Sequence, residues 1–276
     1  MSYKIIADSC CDMTPELAAE YNVVSVPLIM RLGEKEFSDD DSLNLDDFMA
    51  KMQTSNEPAR SSAPAPGVYQ QAIQSADTSY IVTLSSKLSG SYSSAMLGCE
   101  LAREQGVTAT HVFDSKSASA GEILIVAKIH QMVKQGLSRE CIITKVTHFI
   151  DHMKTYFVLD SYDNLQKNGR MSKLTGRLIN VLGIKLVLGS DGEGNISMFS
   201  KARGSTQIIN RLVALIAASG KKTEGEDMVI THCNNINLVN MLVNAVKQFN
   251  FREIIIVPTR GLSSMYAENK GIILAF

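Results

Sequence analysis

The sequence has no charge excess of either sign. Its 27 Lys and Arg stand against 28 Asp and Glu, a formal net charge of −1, which argues against a broadly basic nucleic-acid binder. It is poor in cysteine. The five residues, Cys10, Cys11, Cys99, Cys141 and Cys233, are odd in number and form no CxxC pair, so neither a disulfide framework nor a structural zinc site is expected. No run reaches the roughly 18 uncharged apolar residues that a membrane span requires. The opening MSYKIIADSCCD meets Asp8 too soon for the apolar region of a signal peptide. There is no G-x-S-x-G elbow and no G-x-x-x-x-G-K-[ST] loop, and DGEGNI lacks the third glycine of a dinucleotide fingerprint. The expectation is a soluble cytoplasmic protein without metal or nucleotide.

What is present is a chain of 276 residues, 45% apolar and 20% charged. It is too apolar for disorder and long enough for one large domain or two modest ones. Short apolar runs alternate with helical patterns: KIIAD (4–8), VVSVPLIM (23–30), YIVTLS (80–85) and THVFDS (110–115) read as strands. Between them, Thr14-Pro15 caps one helix, and Asn44 or Asp46 caps another. A third helix starts near Val68 after a proline-rich loop, and a fourth ends at Gly106. An amphipathic helix is expected over 121–136 and a further one near Arg139–Met153. This alternation predicts βαβ units and a mainly parallel sheet.

After about residue 155 the pattern changes to α+β with a mixed sheet. It comprises a strand at YFVLDS, a helical stretch broken at Gly169, a hairpin at IKLVLGSDGEGNISMFSK, a helix at TQIINRLVALIAASG, MVITHC, a helix over 236–249, EIIIVPT and GIILAF. Two domains are expected, 1–155 and 156–276. The first holds 13 basic and 19 acidic residues, the second 14 and 9, so nets of −6 and +5 hide in the balanced total. Such asymmetry fits either a partner surface or two halves that attract each other.

Ligands of open α/β sheets bind at loops leaving the carboxyl ends of strands. Here those loops are Asp8-Ser9, LSSKLSGSYSS and DSKSASAG, with serine at six of the ten positions 85–94. Serine and glycine entering a helix offer hydroxyls and free N–H groups to an anion; the plainer reading is that they cap helices. No histidine lies in these loops, so donors are present without an evident base. His148 and His152 have the i, i+4 spacing of metal ligands or of a surface pair. A basic cluster, Arg170, Lys173, Arg177, Lys185, Lys201 and Arg203, fits a phosphate, an acidic partner or a solvated face. Hairpin geometry is expected to bring Lys185 near Lys201.

The segments IADSCCDMTPEL, RSSAPAPG, LSSKLSGSYSSA, VFDSKSASAGE, LQKNGRMSK and the IK…KARGS hairpin stand in the order expected of DegV-family proteins, and the chain resembles that family over essentially its whole length. The resemblance implies two α/β domains with a long-chain fatty acid buried between them. The family is similar to the FakB subunit of bacterial fatty acid kinase, a non-catalytic lipid carrier. That subunit presents the carboxylate to a separate ATP-dependent kinase subunit, which forms acyl phosphate, with at most transient membrane contact. The family's Thr-Ser-x-Pro loop is matched by Ser61-Ser62-Ala63-Pro64 and its Ser-Gly element by Ser89-Gly90, so these would hold the carboxylate. Its Gly-Arg and Lys elements resemble Gly169-Arg170, Lys185 and Lys201-x-Arg203, implying a face toward the kinase or the transferred phosphate. The sequence departs from a C-terminal His-Thr-Gly-Pro-Gly stretch by placing Tyr266 at the histidine position. Tyrosine donates a hydrogen bond but carries no positive charge. The departure bears on the kinase partnership more than on lipid binding. The rival readings are a lipid-sensing regulatory module and a hydrolase or transferase acting on acyl or phosphoryl groups.

Overall fold

The computed structural model describes residues 3–55, 57–74, 77–171 and 183–276. The first strand, β1 (Tyr3–Asp8), buries Ile5, Ile6, Ala7 and Asp8 in succession, as a strand covered on both faces does. It pairs in parallel with β2 (Val23–Val26) and β6 (Thr78–Thr83), and β6 pairs in parallel with β7 (Thr110–Asp114). The sheet order is β2-β1-β6-β7. Thr14 accepts the Leu17 N–H at 3.3 Å and Pro15 opens α1 (Pro15–Tyr21). Asn44 caps α2 (Leu45–Thr54) by accepting the Asp47 N–H at 3.0 Å.

The run 23–30 is two strands, not one. Pro27 has no N–H to donate, and after it β3 (Ile29–Leu32) leaves the parallel sheet. It pairs antiparallel with β4 (Lys35–Ser38) and β5 (Arg60–Ser62), forming a small sheet that the sequence pattern does not foretell. Helix α3 (Pro66–Ile73) packs against α4 (Ser91–Glu104).

Helix α5 (Ala120–Lys134) departs from the amphipathic reading. Its first half, including Ile123, Leu124, Ile125 and Val126, is wholly buried, which marks a helix enclosed by protein. It contacts β1 and β6 of the parallel sheet and also β11 (Asp227–His232) and β13 (Ile272–Ala275) of a second sheet. Helix α6 (Arg139–His152) lies against it.

The second sheet starts with β8 (Thr155–Val158) and has the order β10-β9-β8-β13-β11-β12. Its pairings are antiparallel except between β11 and β12 (Glu253–Pro258). Strands β9 (Ile184–Ser190) and β10 (Ile196–Arg203) form the expected hairpin. Helices α8 (Gly204–Ala218) and α9 (Ile236–Val246) build their own core with the outer face of this sheet. Before the hairpin comes α7 (Asp163–Lys167), then Gly169 at φ +74°, where the break was expected. Lys173 and Arg177 fall outside the described residues. One further helix, α10 (Gly261–Ala267), occupies the stretch that carries Tyr266. The architecture is a two-domain α/β fold with an N-terminal parallel sheet and a C-terminal mixed sheet with helices. Its largest apolar cluster runs from Ile5 to Ala275 and joins both halves.

Candidate functional site

A cavity of about 990 Å³, its open mouth included, lies where the carboxyl ends of β1, β6 and β7 face the second sheet and α10. Its walls are mostly apolar, with Leu28, Leu84, Leu88, Phe157, Ile196 and Leu262 among them. The polar groups come from loops, as the sheet-edge rule leads one to expect.

At one place Ser61, Ser89, Gly90, Arg170 and Tyr266 all line the cavity. The Ser61 and Tyr266 hydroxyls are 3.1 Å apart. Burial pushes the Tyr266 phenol above its usual value, and the Ser61 hydroxyl and the Arg170 charge pull it partly back. Tyr266 is therefore a neutral hydroxyl at ordinary pH. The Ser89 hydroxyl accepts the Ser91 N–H at 3.2 Å and lies 3.1 Å from the Ser91 hydroxyl, so it shapes the first turn of α4 while facing the cavity. Arg170 is held by two carbonyls, Leu88 through Nε at 3.1 Å and Asn168 through Nη1 at 2.6 Å. Together these groups suit an anion or a polar headgroup attached to an apolar body.

Other residues expected at the site lie elsewhere. Ser62 is exposed and absent from the cavity wall, because successive residues of β5 point to opposite faces. Lys185 donates to the Asp160 carbonyl at 2.7 Å and carboxylate at 2.6 Å; that ion pair is the reason for a charge in an apolar strand. Lys185 stands opposite Ala202, and Lys201 opposite Leu186, so the two lysines occupy opposite faces of the hairpin. Lys201 and Arg203 are exposed and do not line the cavity. His148 and His152 stack with ring centroids 4.2 Å apart, and His152 Nδ1 lies 2.8 Å from the His148 carbonyl oxygen.

The wall also holds Cys10 and Lys116, from the segments IADSCCDMTPEL and DSKSASAG, and Thr155, Ser190 and Asn195. Ser117 and Ser119 belong to the serine-rich 114–121 loop. Several of these tie the halves together. The Ser117 hydroxyl lies 2.7 Å from that of Thr155, Ser190 donates to the Lys116 carbonyl at 2.9 Å, and Ser85 donates to the Gly194 carbonyl at 2.8 Å.

Behind Cys10 and Ser119 lies a group of wholly buried acids. Asp8 accepts N–H groups from Cys10 at 3.1 Å and Leu84 at 2.9 Å. Glu122 Oε1 accepts the Ser119 N–H at 3.1 Å, while its Oε2 meets no donor among the described residues. Asp12 accepts from the Ser119 hydroxyl, which also neighbours the Thr231 hydroxyl at 2.6 Å. Burial pushes Asp8 and Asp12 each up to about 7 and Glu122 well above the usual carboxylate range. Asp8, Cys10 and Glu122 bring metal-type donor atoms within 4.8 Å of one another. The backbone donors already on Asp8, and the lack of any on Glu122 Oε2, suit a proton shared by the two carboxyls.

Comparisons with known proteins bear on the family and the fold. The family model described as an uncharacterised protein of the DegV family matches residues 2–274. A DegV domain-containing protein of Streptococcus gordonii is 34% identical over all of this chain and 99% of its own. Among solved structures, a DegV-family protein of Ruminococcus gnavus with vaccenic acid superposes with a TM-score of 0.93 at 36% identity, covering 99% of each chain. The Streptococcus pneumoniae fatty acid kinase B3 protein loaded with linoleic acid does so with a TM-score of 0.93 at 35% identity, covering 100% of this chain and 99% of that one. With one family model spanning nearly every residue and end-to-end relatives above 30% identity, this chain belongs to the DegV family.

Proposed function

We propose that the protein binds a long-chain fatty acid in the cavity between its halves, 1–155 and 156–276, and presents the carboxylate to a separate ATP-dependent fatty acid kinase subunit. The observation that carries this reading is the Ser61–Tyr266 hydroxyl pair, 3.1 Å apart, in the wall of a mostly apolar cavity. A carboxylate leaving water needs hydrogen-bond donors. Ser61, Tyr266 and Ser89 supply hydroxyls, the Gly90 backbone adjoins them, and Arg170 supplies a charge nearby. The acyl chain supplies the affinity. At about 0.8 kcal/mol per buried methylene, fifteen of them contribute on the order of 12 kcal/mol before ordering costs.

Binding rather than catalysis fits the wall, which among its described residues has Cys10 and serines but no histidine or carboxylate to serve as base. The pneumococcal relative loaded with linoleic acid supports the kinase partnership by its own description. Of the described residues in the basic cluster Arg170, Lys185, Lys201 and Arg203, Arg170 lines the cavity, and a phosphoryl group arriving at the carboxylate would meet its charge there. Denaturing mass spectrometry of the purified protein is expected to release a fatty acid at near-stoichiometric yield. A protein that carries none, and takes up no linoleic acid when it is added, ends the proposal.

A further inference from the structure

Helix α10, which carries Tyr266, has no side-chain cap of its own; Arg260 stands at its N-cap position. The N–H groups that a helix start leaves without intrahelical partners are taken instead by two remote carboxylates. Asp12 Oδ1 accepts from Arg260 N at 2.7 Å, and Asp39 accepts with both oxygens, from Gly261 N at 3.0 Å and Leu262 N at 2.9 Å. Asp12 is 0% and Asp39 1% exposed. The Arg260 side chain adds bonds to the Met13 carbonyl at 3.0 Å and Asp41 at 2.7 Å.

The approach is so close that a Cβ on residue 261 would lie 2.4 Å from Asp39 Oδ1 and 2.6 Å from Leu43 Cδ2, so a side chain there would displace the Asp39 carboxylate. At the other end, Asn164 donates to the Met265 carbonyl at 2.8 Å. A seven-residue helix has little stability by itself, so these outside contacts set its position. Tyr266 sits five residues beyond Gly261, about 7.5 Å along the axis at 1.5 Å per residue.

We infer that Asp39, aided by Asp12, is a positioning residue for the carboxylate site: from the first half of the chain it grips the start of α10 and so sets where the Tyr266 hydroxyl meets Ser61. This rests on the fatty-acid reading for its ligand but not for its geometry. The carboxylates also lie at the positive end of the helix, where negative charge is favoured.

The test uses delipidated full-length protein, hydrogen exchange at the backbone amides and titration with linoleic acid. Asp39→Asn keeps one acceptor and turns the other into a donor facing an N–H. Exchange at Gly261 and Leu262 is expected to run about tenfold faster. The linoleic acid Kd is expected to rise about tenfold, as for the loss of one charge-assisted hydrogen bond. In the Tyr266→Phe background the same change is expected to add less than about twofold, the scatter of independent sites. An equal loss in both backgrounds overturns action through Tyr266, and unchanged exchange overturns the anchoring. A wild type that takes up no linoleic acid removes the fatty-acid reading itself while the exchange result still decides the anchor. Should Asp39→Asn not fold, Asp12→Asn, which loses the acceptor for Arg260 N, is read by the same measurements.

Discussion

Replacing Glu122 by glutamine removes one ionisable group from a wholly buried position on α5. Glu122 faces Asp8, Asp12 and Cys10, with Cys11 and Tyr69 close enough to feel the same charges. Among the described residues its Oε2 meets no donor, and a proton shared with Asp8 would supply one. Burial, opposed in part by the Leu84 N–H, holds Asp8 at about 7 against an ordinary 3.8. The folded state therefore binds this proton more tightly than the unfolded chain. Stability from such a group is complete below the unfolded pKa and is lost as pH rises through the folded one. At about 1.4 kcal/mol per pH unit over about three units, the cost by pH 8 is on the order of 4 kcal/mol.

The amide introduced by Glu122→Gln keeps an oxygen for the Ser119 N–H and offers a permanent donor to Asp8. The substitution is expected to recover about half of that cost at pH 8, a Tm gain of roughly 4–8 °C, and close to nothing at pH 4.5. Thermal unfolding of both proteins at a series of pH values between these limits measures it. A Glu122→Gln protein that is less stable than the wild type at pH 8, or that loses stability with rising pH as steeply, refutes the shared proton.

Two further predictions concern the cavity. Ser61→Ala is expected to raise the linoleic acid Kd about tenfold through loss of a hydroxyl donor to a charged group, while Ser62→Ala, outside the wall, leaves it unchanged; equal effects in a titration count against the assigned site. Arg170→Ala is expected to abolish capture of a fatty acid kinase subunit in a pull-down while mass spectrometry still finds lipid in the protein; undiminished capture removes Arg170 from the partner face.

The serine loops, the parallel sheet and the β9–β10 hairpin were legible because each rests on local pattern: alternation, caps and glycine turns. Strands β4 and β5 were not, since KEFS and RSS are short and polar and become strands only by pairing with β3. Helix α10 was hidden for a related reason. GLSSMYA is short, opens on glycine and lacks a side-chain cap of its own, and its first turn is stabilised by Asp12 and Asp39, more than two hundred residues earlier. The burial of α5 follows from having a sheet on either side, which its own periodicity does not reveal. Ser61 and Tyr266 were named from a family pattern, yet their contact joins positions 205 residues apart. Lys185 invited a functional reading that Asp160 answers structurally.

Strand β13 lies between β8 and β11 in the middle of the second sheet, although it comes after every other strand in the chain. During synthesis, β8 and its cavity-facing Thr155 and Phe157 thus wait for residues 272–275 before their neighbour on that side exists. The wall opposite the serine loops is then among the last parts to close.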